Sequence, residues 1–132
     1  MLAKIKSDVI SLPGDFAARG GSRAAEVLLK RKTLPTAVVC NNDESAMGLW
    51  HRLLQAGVKI PHDVSIVGYD DSVAGYPYLD MTTVRQDPNE LAAAAIADLS
   101  ARILGSKYLA QTFLTSSKLV VRSSTVKPRK SR

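Results

Sequence analysis

Two apolar runs do most to limit what this chain can fold into. "TAVVC" (36–40) and "VSIVGY" (64–69) are rich in β-branched residues, and neither shows the apolar–polar alternation of a strand with one wet face. A helical pattern follows "TAVVC", from about Glu44 to Gln55, closed by Gly57. A further short strand is expected over "TTVRQ" (82–86). The next helix opens at Asp87-Pro88, where the missing proline N–H costs nothing, and stops at Gly105. Strands with continuous apolar character alternating with helices imply a parallel sheet covered on both faces, a doubly wound α/β arrangement. Upstream, Asp15 is expected to cap a helix carrying Phe16, Ala24, Val27, Leu28 and Leu29, which Gly20-Gly21 weakens by about 1 kcal/mol each relative to Ala. The segment "TFLTSSKLVVRSST" reads as strand material with a turn at Ser116-Ser117.

In open sheets of this kind, ligands bind outside the carboxyl ends of the strands. Asn41, Asn42 and Asp43 follow one run, and Asp70 and Asp71 follow the other. If the two strands are neighbours, these amides and carboxylates converge on one rim. Carboxylates accept hydrogen bonds and amides both donate and accept, a combination suited to vicinal hydroxyls. Phe16, at a strand-to-helix connection, is positioned to cover the apolar face of a sugar ring or to stack on a base. The plainer roles for the same residues are helix capping for Asn41 to Asp43, a turn for Asp70-Asp71 and core packing for Phe16.

Other chemistries find little support. His51 and His62 are the only histidines, and neither has a metal-ligand partner at the right spacing, so neither a metal nor a cofactor is expected. The nucleophile elbow, the Walker loop and the dinucleotide fingerprint are all missing, and no catalytic residue or enzyme activity is expected. The lone Cys40 excludes an internal disulfide framework. No apolar run approaches the ~20 residues of a membrane span, so the chain is expected to be cytoplasmic and free of the membrane. The formal charge of +6 drops to +2 once Lys127, Arg129, Lys130 and Arg132 of the 127–132 tail are set aside, and that tail is expected to be a disordered basic end.

The segment from "PTAVVCNNDESAMGLW" to "IPHDVSIVGYDDS", followed by "TTVRQD" and "LVVRSST", resembles the effector-binding domain of LacI/GalR-type bacterial transcription regulators, from about Gly14 to Thr125. The resemblance implies a partial two-lobed, periplasmic-binding-protein-like (type I) fold. A sugar, sugar-like molecule or nucleobase would sit between the lobes, and the protein would be a homodimer reaching operator DNA through a helix-turn-helix that this chain lacks. Carried over by motif, Phe16, Asn42, Asp70 and Gln86 would contact the effector, whereas Asp43 and Asp71 would be capping and structural partners. A sugar-binding component of a transport system, sharing the core fold, is the alternative.

On this reading residues 1–86 are the remainder of the carboxy-terminal lobe, and 87–126 are a crossover helix with terminal strands. The chain is then a carboxy-terminal fragment. The crossover helix belongs to the other lobe, and its stripe of Leu91, Ala95, Ile96, Leu99 and Ile103 is expected to be exposed and to promote self-association. The 44–55 helix carries two apolar stripes: Ala46, Leu49, Trp50 and Leu53 for the sheet, and Met47, His51 and Leu54 for a subunit interface.

Overall fold

A computed structural model describes residues 9–105 and 112–128 of the chain. The order is α1 (Ala18–Leu29), β1 (Ala37–Val39), α2 (Asp43–Gln55), β2 (Ser65–Asp70), β3 (Thr82–Gln86), α3 (Pro88–Ile103) and β4 (Ser117–Val120). They build one sheet in the order β1-β2-β3-β4. β1, β2 and β3 run parallel, as the apolar runs imply, and β4 closes the edge antiparallel to β3, with Val84 opposite Leu119. Residues 1–8, ahead of the helix expected from Asp15, and the basic tail beyond residue 128 lie outside the described residues.

Each helix start has a local cause. The Asn42 side chain accepts from the Ser45 N–H at 2.9 Å and caps α2. Asp87 accepts from the Asn89 and Glu90 N–H groups, with Pro88 in the first helical position of α3. Gly57 (φ 79°) and Gly105 (φ 75°), just past α2 and α3, take left-handed conformations that suit glycine. The start of α1 departs from expectation. Its cap is Ala17, which makes no side-chain cap bond. Asp15 stays outside the helix, accepts from the Ala17 N–H at 3.2 Å and pairs with Arg19 and Arg23.

The core gathers Ala25 and Leu28 of α1, Ala46, Leu49 and Leu53 of α2, Ile66 of β2, and Met81 just before β3. Gly20 and Gly21, expected to weaken α1, are both buried, Gly20 against Asp15 and Gly21 against α2. A Cβ on Gly21 would collide with the Ser45 carbonyl oxygen, and one on Gly48 with the Ala18 carbonyl oxygen. The two helices therefore cross backbone to backbone, each supplying a glycine where the other presents a carbonyl.

The sheet is covered unequally. Ile66 and Gly68 turn toward α2, while Val39, Tyr69 and Leu119 lie on the opposite side; Val39 is 77% and Leu119 63% exposed. Helix coverage of both faces is thus only half realised among the described residues. α3 buries none of its residues, as expected for its apolar stripe. At the amino ends of β2 and β3 the last segment is inserted between the strands. The Ser124 hydroxyl donates to the Ile66 carbonyl at 2.6 Å and accepts from the Thr82 N–H at 2.8 Å, so one buried serine ties both strands together.

Candidate functional site

The strand register decides whether a rim exists. Val39 pairs with Val67, and the Cys40 N–H continues the ladder to the Val67 carbonyl at 2.8 Å. Asn42 and Asp70 each lie three residues beyond that pair, at the carboxyl ends of adjacent parallel strands about 4.8 Å apart. Gln86 ends β3, the next strand along, and donates from Nε2 to Asp70 Oδ1 at 2.9 Å. Asn42 also donates from Nδ2 to the Phe16 carbonyl at 2.8 Å. Two pairs therefore stand along one edge: Phe16 with Asn42, and Asp70 with Gln86.

The backbone here is unusual. Phe16 (φ 58°), Asp70 (φ 104°) and Asp71 (φ 59°) occupy the left-handed region that side chains with a Cβ rarely adopt. Such conformations cost about 1–3 kcal/mol each and persist only where neighbours hold them. For Phe16 the holder is Asn42, which grips its carbonyl while the residue stays 66% exposed. For the two aspartates the holders are downstream. Asp71 pairs with Arg85 at 2.5 Å and with Arg122 at 2.8 Å, and Arg122 also donates to the Met81 carbonyl at 2.9 Å.

Asp43 is wholly buried and anchors the loop that follows. Its Oδ2 accepts from the Ser72, Val73 and Ala74 N–H groups at 2.8, 3.3 and 3.3 Å, and its Oδ1 from the Thr83 hydroxyl at 2.7 Å. The conspicuous acids at the ends of the strands thus divide by task. Asp43 and Asp71 are consumed by structure, while Asp70 keeps one oxygen beyond its bond to Gln86. Thr83, Arg122 and Ser124 complete the support. Their only sequence signal is that they lie in the "TTVRQ" and "LVVRSST" segments, and spacing alone does not join Arg122 to Asp71.

Electrostatics follow from these contacts. Burial pushes the Asp71 carboxyl up, but the Arg122 and Arg85 guanidiniums outweigh it and hold the group below the usual carboxylate range. A carboxyl lowered in the folded state stabilises above its unfolded value near 3.9, and that contribution is lost as pH falls through the lower folded value. Melting temperatures from pH 6 to pH 3 should show it. Asp71→Asn should melt lower than the parent at pH 6, and the gap should narrow toward pH 3; a constant gap would deny the linkage. Cys40, at the end of β1, is pushed up to about 12 by burial and then by the Asp43 charge, so its thiol stays neutral and unreactive.

A second surface lies on α2. Met47, His51 and Leu54, with Gly48, Ala18 and Tyr78, line a shallow apolar groove of about 430 Å³. His51 and Leu54 are exposed and Met47 is half-buried, whereas Ala46, Leu49 and Leu53 face the core.

A mostly parallel α/β sheet, with polar side chains and an open aromatic along its carboxyl edge, places the chain in the doubly wound α/β class. The chain belongs to the periplasmic binding protein-like domain family, whose pattern it matches over residues 5–125. It is similar to the HTH-type transcriptional repressor PurR of Photobacterium profundum, 35% identical over 114 residues that make up 86% of this chain and 34% of the repressor. Among solved structures it resembles a LacI transcriptional regulator from a Rhodococcus species, with 38% identity, TM-score 0.78, and coverage of 85% of this chain and 41% of that one. It also resembles a LacI family transcriptional regulator from Enterococcus faecium with bound ribose, with 33% identity, TM-score 0.78, and coverage of 90% and 44%. The chain spans about a third of the length of the curated relatives it matches. The likeness to LacI-type regulators drawn from the motifs therefore holds.

Proposed function

We propose that this chain is the effector-sensing part of a LacI-type transcription regulator, responding to a sugar, a sugar-like molecule or a nucleobase. The observation that carries the reading is the pairing of Phe16 with Asn42 and of Asp70 with Gln86 along one strand edge. The free Asp70 oxygen would accept from a ligand hydroxyl, the exposed Phe16 ring would cover the ligand's apolar face, and the unused Asn42 donor would add orientation. A ligand reaching Asp70 meets Gln86 at once, and Gln86 leads directly into α3 through Asp87. Ligand preference for one arrangement of that crossover is the thermodynamic requirement for gating.

Ribose bound to the Enterococcus faecium relative makes a sugar the first compound to test. The relatives named above are a repressor and LacI-type regulators, which favours regulation over the transport alternative and over any enzyme. Such a regulator works in the cytoplasm, on operator DNA, through a helix-turn-helix. The α2 groove with Met47, His51 and Leu54 would pair two copies. Thermal-shift measurements with D-ribose, other free sugars and nucleobases test the sensor. At least one compound should raise the melting temperature, and Asp70→Ala should weaken its binding roughly 10–100-fold, as loss of a charge-assisted hydrogen bond implies. A panel in which no compound acts, or in which Asp70→Ala binds like the parent, overturns the proposal.

A further inference from the structure

Asp70 and Asp71 are consecutive residues in left-handed backbone, and a turn of that kind relaxes to ordinary conformations unless something outside it holds on. Asp70 brings little hold of its own, since its side chain meets only the partly exposed Gln86 amide. Downstream, the 72–74 N–H groups are fixed by Asp43. The link between, the 70–71 peptide, is left to the Asp71 side chain. That carboxylate is only 4% exposed and lies between two guanidiniums, which are unequal. The Arg85 side chain is 58% exposed and screened by water, whereas that of Arg122 is 16% exposed. Arg122 is also the better anchored. Its Nη1 meets both Asp71 Oδ1 and the Met81 carbonyl, and its backbone is held by Thr82, whose hydroxyl accepts from the Arg122 N–H at 2.9 Å and donates to the Arg122 carbonyl at 3.2 Å. One nitrogen thus ties the turn after β2 to the start of β3.

We infer that Arg122 is a positioning residue of the effector site: through Asp71 it fixes the backbone of Asp70, and with it the aim of the free Asp70 oxygen. That role rests on the sensor reading. Arg122 stands back from the ligand edge, because its anchor Met81 precedes β3 whereas Gln86 ends that strand. Without its charge the 70–71 peptide is free to leave the left-handed region, and the Asp70 carboxylate then samples directions that a ligand hydroxyl cannot follow. The cost by this route has a ceiling. A carboxylate without aim does no worse than an absent one, so removing Arg122 costs at most what Asp70→Ala costs.

A double-mutant cycle tests it. Arg122→Met keeps an apolar stem and the backbone bonds to Thr82 while removing the charge. Arg122→Gln, which keeps a donor for the Met81 carbonyl, serves where the Met variant does not fold. D-ribose, and then the other sugars and nucleobases, are titrated calorimetrically into the parent, the Arg122 variant, Asp70→Ala and the double variant. Loss of Arg122 should weaken binding about 10-fold in the parent, but by no more than about 2-fold where Asp70 is already Ala. A residue that merely supports the fold would weaken both backgrounds alike. A second readout needs no ligand. The NMR signals of the Gln86 side-chain amide, bonded to Asp70, should move toward those of a free amide in the Arg122 variant, while those of the Asn42 amide, bonded to the Phe16 carbonyl, stay in place. Equal weakening in both backgrounds, parent-like affinity in the Arg122 variants, or an unmoved Gln86 amide overturns the positioning role and leaves the sensor reading standing. A parent that binds none of these compounds overturns the sensor reading, and the positioning role falls with it.

Discussion

Replacing Asp43 by Ala is expected to lower stability by about 3–5 kcal/mol, a large share of what a domain of this size has to lose. The carboxylate is fully buried and satisfies three backbone N–H groups and one hydroxyl. Truncation leaves all four donors without an acceptor, and each unsatisfied buried group costs about 1–3 kcal/mol before relaxation. Local rearrangement recovers part of that sum, which is why the expected loss falls below the simple total. Asp43→Asn separates charge from shape. Its oxygen can still face the 72–74 N–H groups, and its amide can donate to Thr83, because a hydroxyl accepts as readily as it donates. The Asn variant should therefore lose only about 1–2 kcal/mol, the difference between charged and neutral hydrogen bonds. Urea denaturation of both variants checks this. Equal losses for Ala and Asn would mean that the charge, rather than the donors left behind, sets the cost. The loop anchored by Asp43 begins one residue after Asp71, so the Ala variant should also lose any ligand response that depends on Asp70.

The site depends on long-range contacts such as this one, and only its local parts show in the sequence. The strands, the α2 cap and the Asp87-Pro88 start were legible because each rests on a local preference: β-branching, an Asn before a helical run, a proline where no N–H is needed. The rim was legible as a consequence of parallel pairing, since two strands in register bring their ends to one edge. Asn42 was harder, because capping and ligand contact are alternatives in sequence. Here it caps with its oxygen and holds Phe16 with its nitrogen, so one side chain positions the aromatic as well as the helix. Arg122 was not legible as a partner. It meets Asp71 across 51 residues of chain, through an antiparallel edge strand that local pattern does not orient. The open sheet face escaped as well, because continuous apolar strands suggest two covers whether or not the chain supplies both.

The glycines at the crossing of α1 and α2 show the same limit and yield the second large effect. Helix propensity alone says that Gly21→Ala and Gly48→Ala should each stabilise by about 1 kcal/mol. The crossing says the reverse. Both new Cβ atoms would strike backbone carbonyl oxygens, and a backbone in a helix cannot rotate aside as a side chain can. Relief requires α1 and α2 to move apart, which loosens Ala25 and Leu28 against Leu49 and Leu53. Overpacking of this kind costs about 1–3 kcal/mol, and more when backbone is the obstacle, so a net loss of about 2–3 kcal/mol is expected for each variant. The two collisions sit at one crossing. Once either substitution has separated the helices, the other finds its clash partly relieved, and the double variant should lose clearly less than the sum of the singles. Denaturant midpoints for the two singles and the double decide the matter. Strict additivity would indicate two independent local strains, and a gain in either single would mean that the helices are not in backbone contact at all.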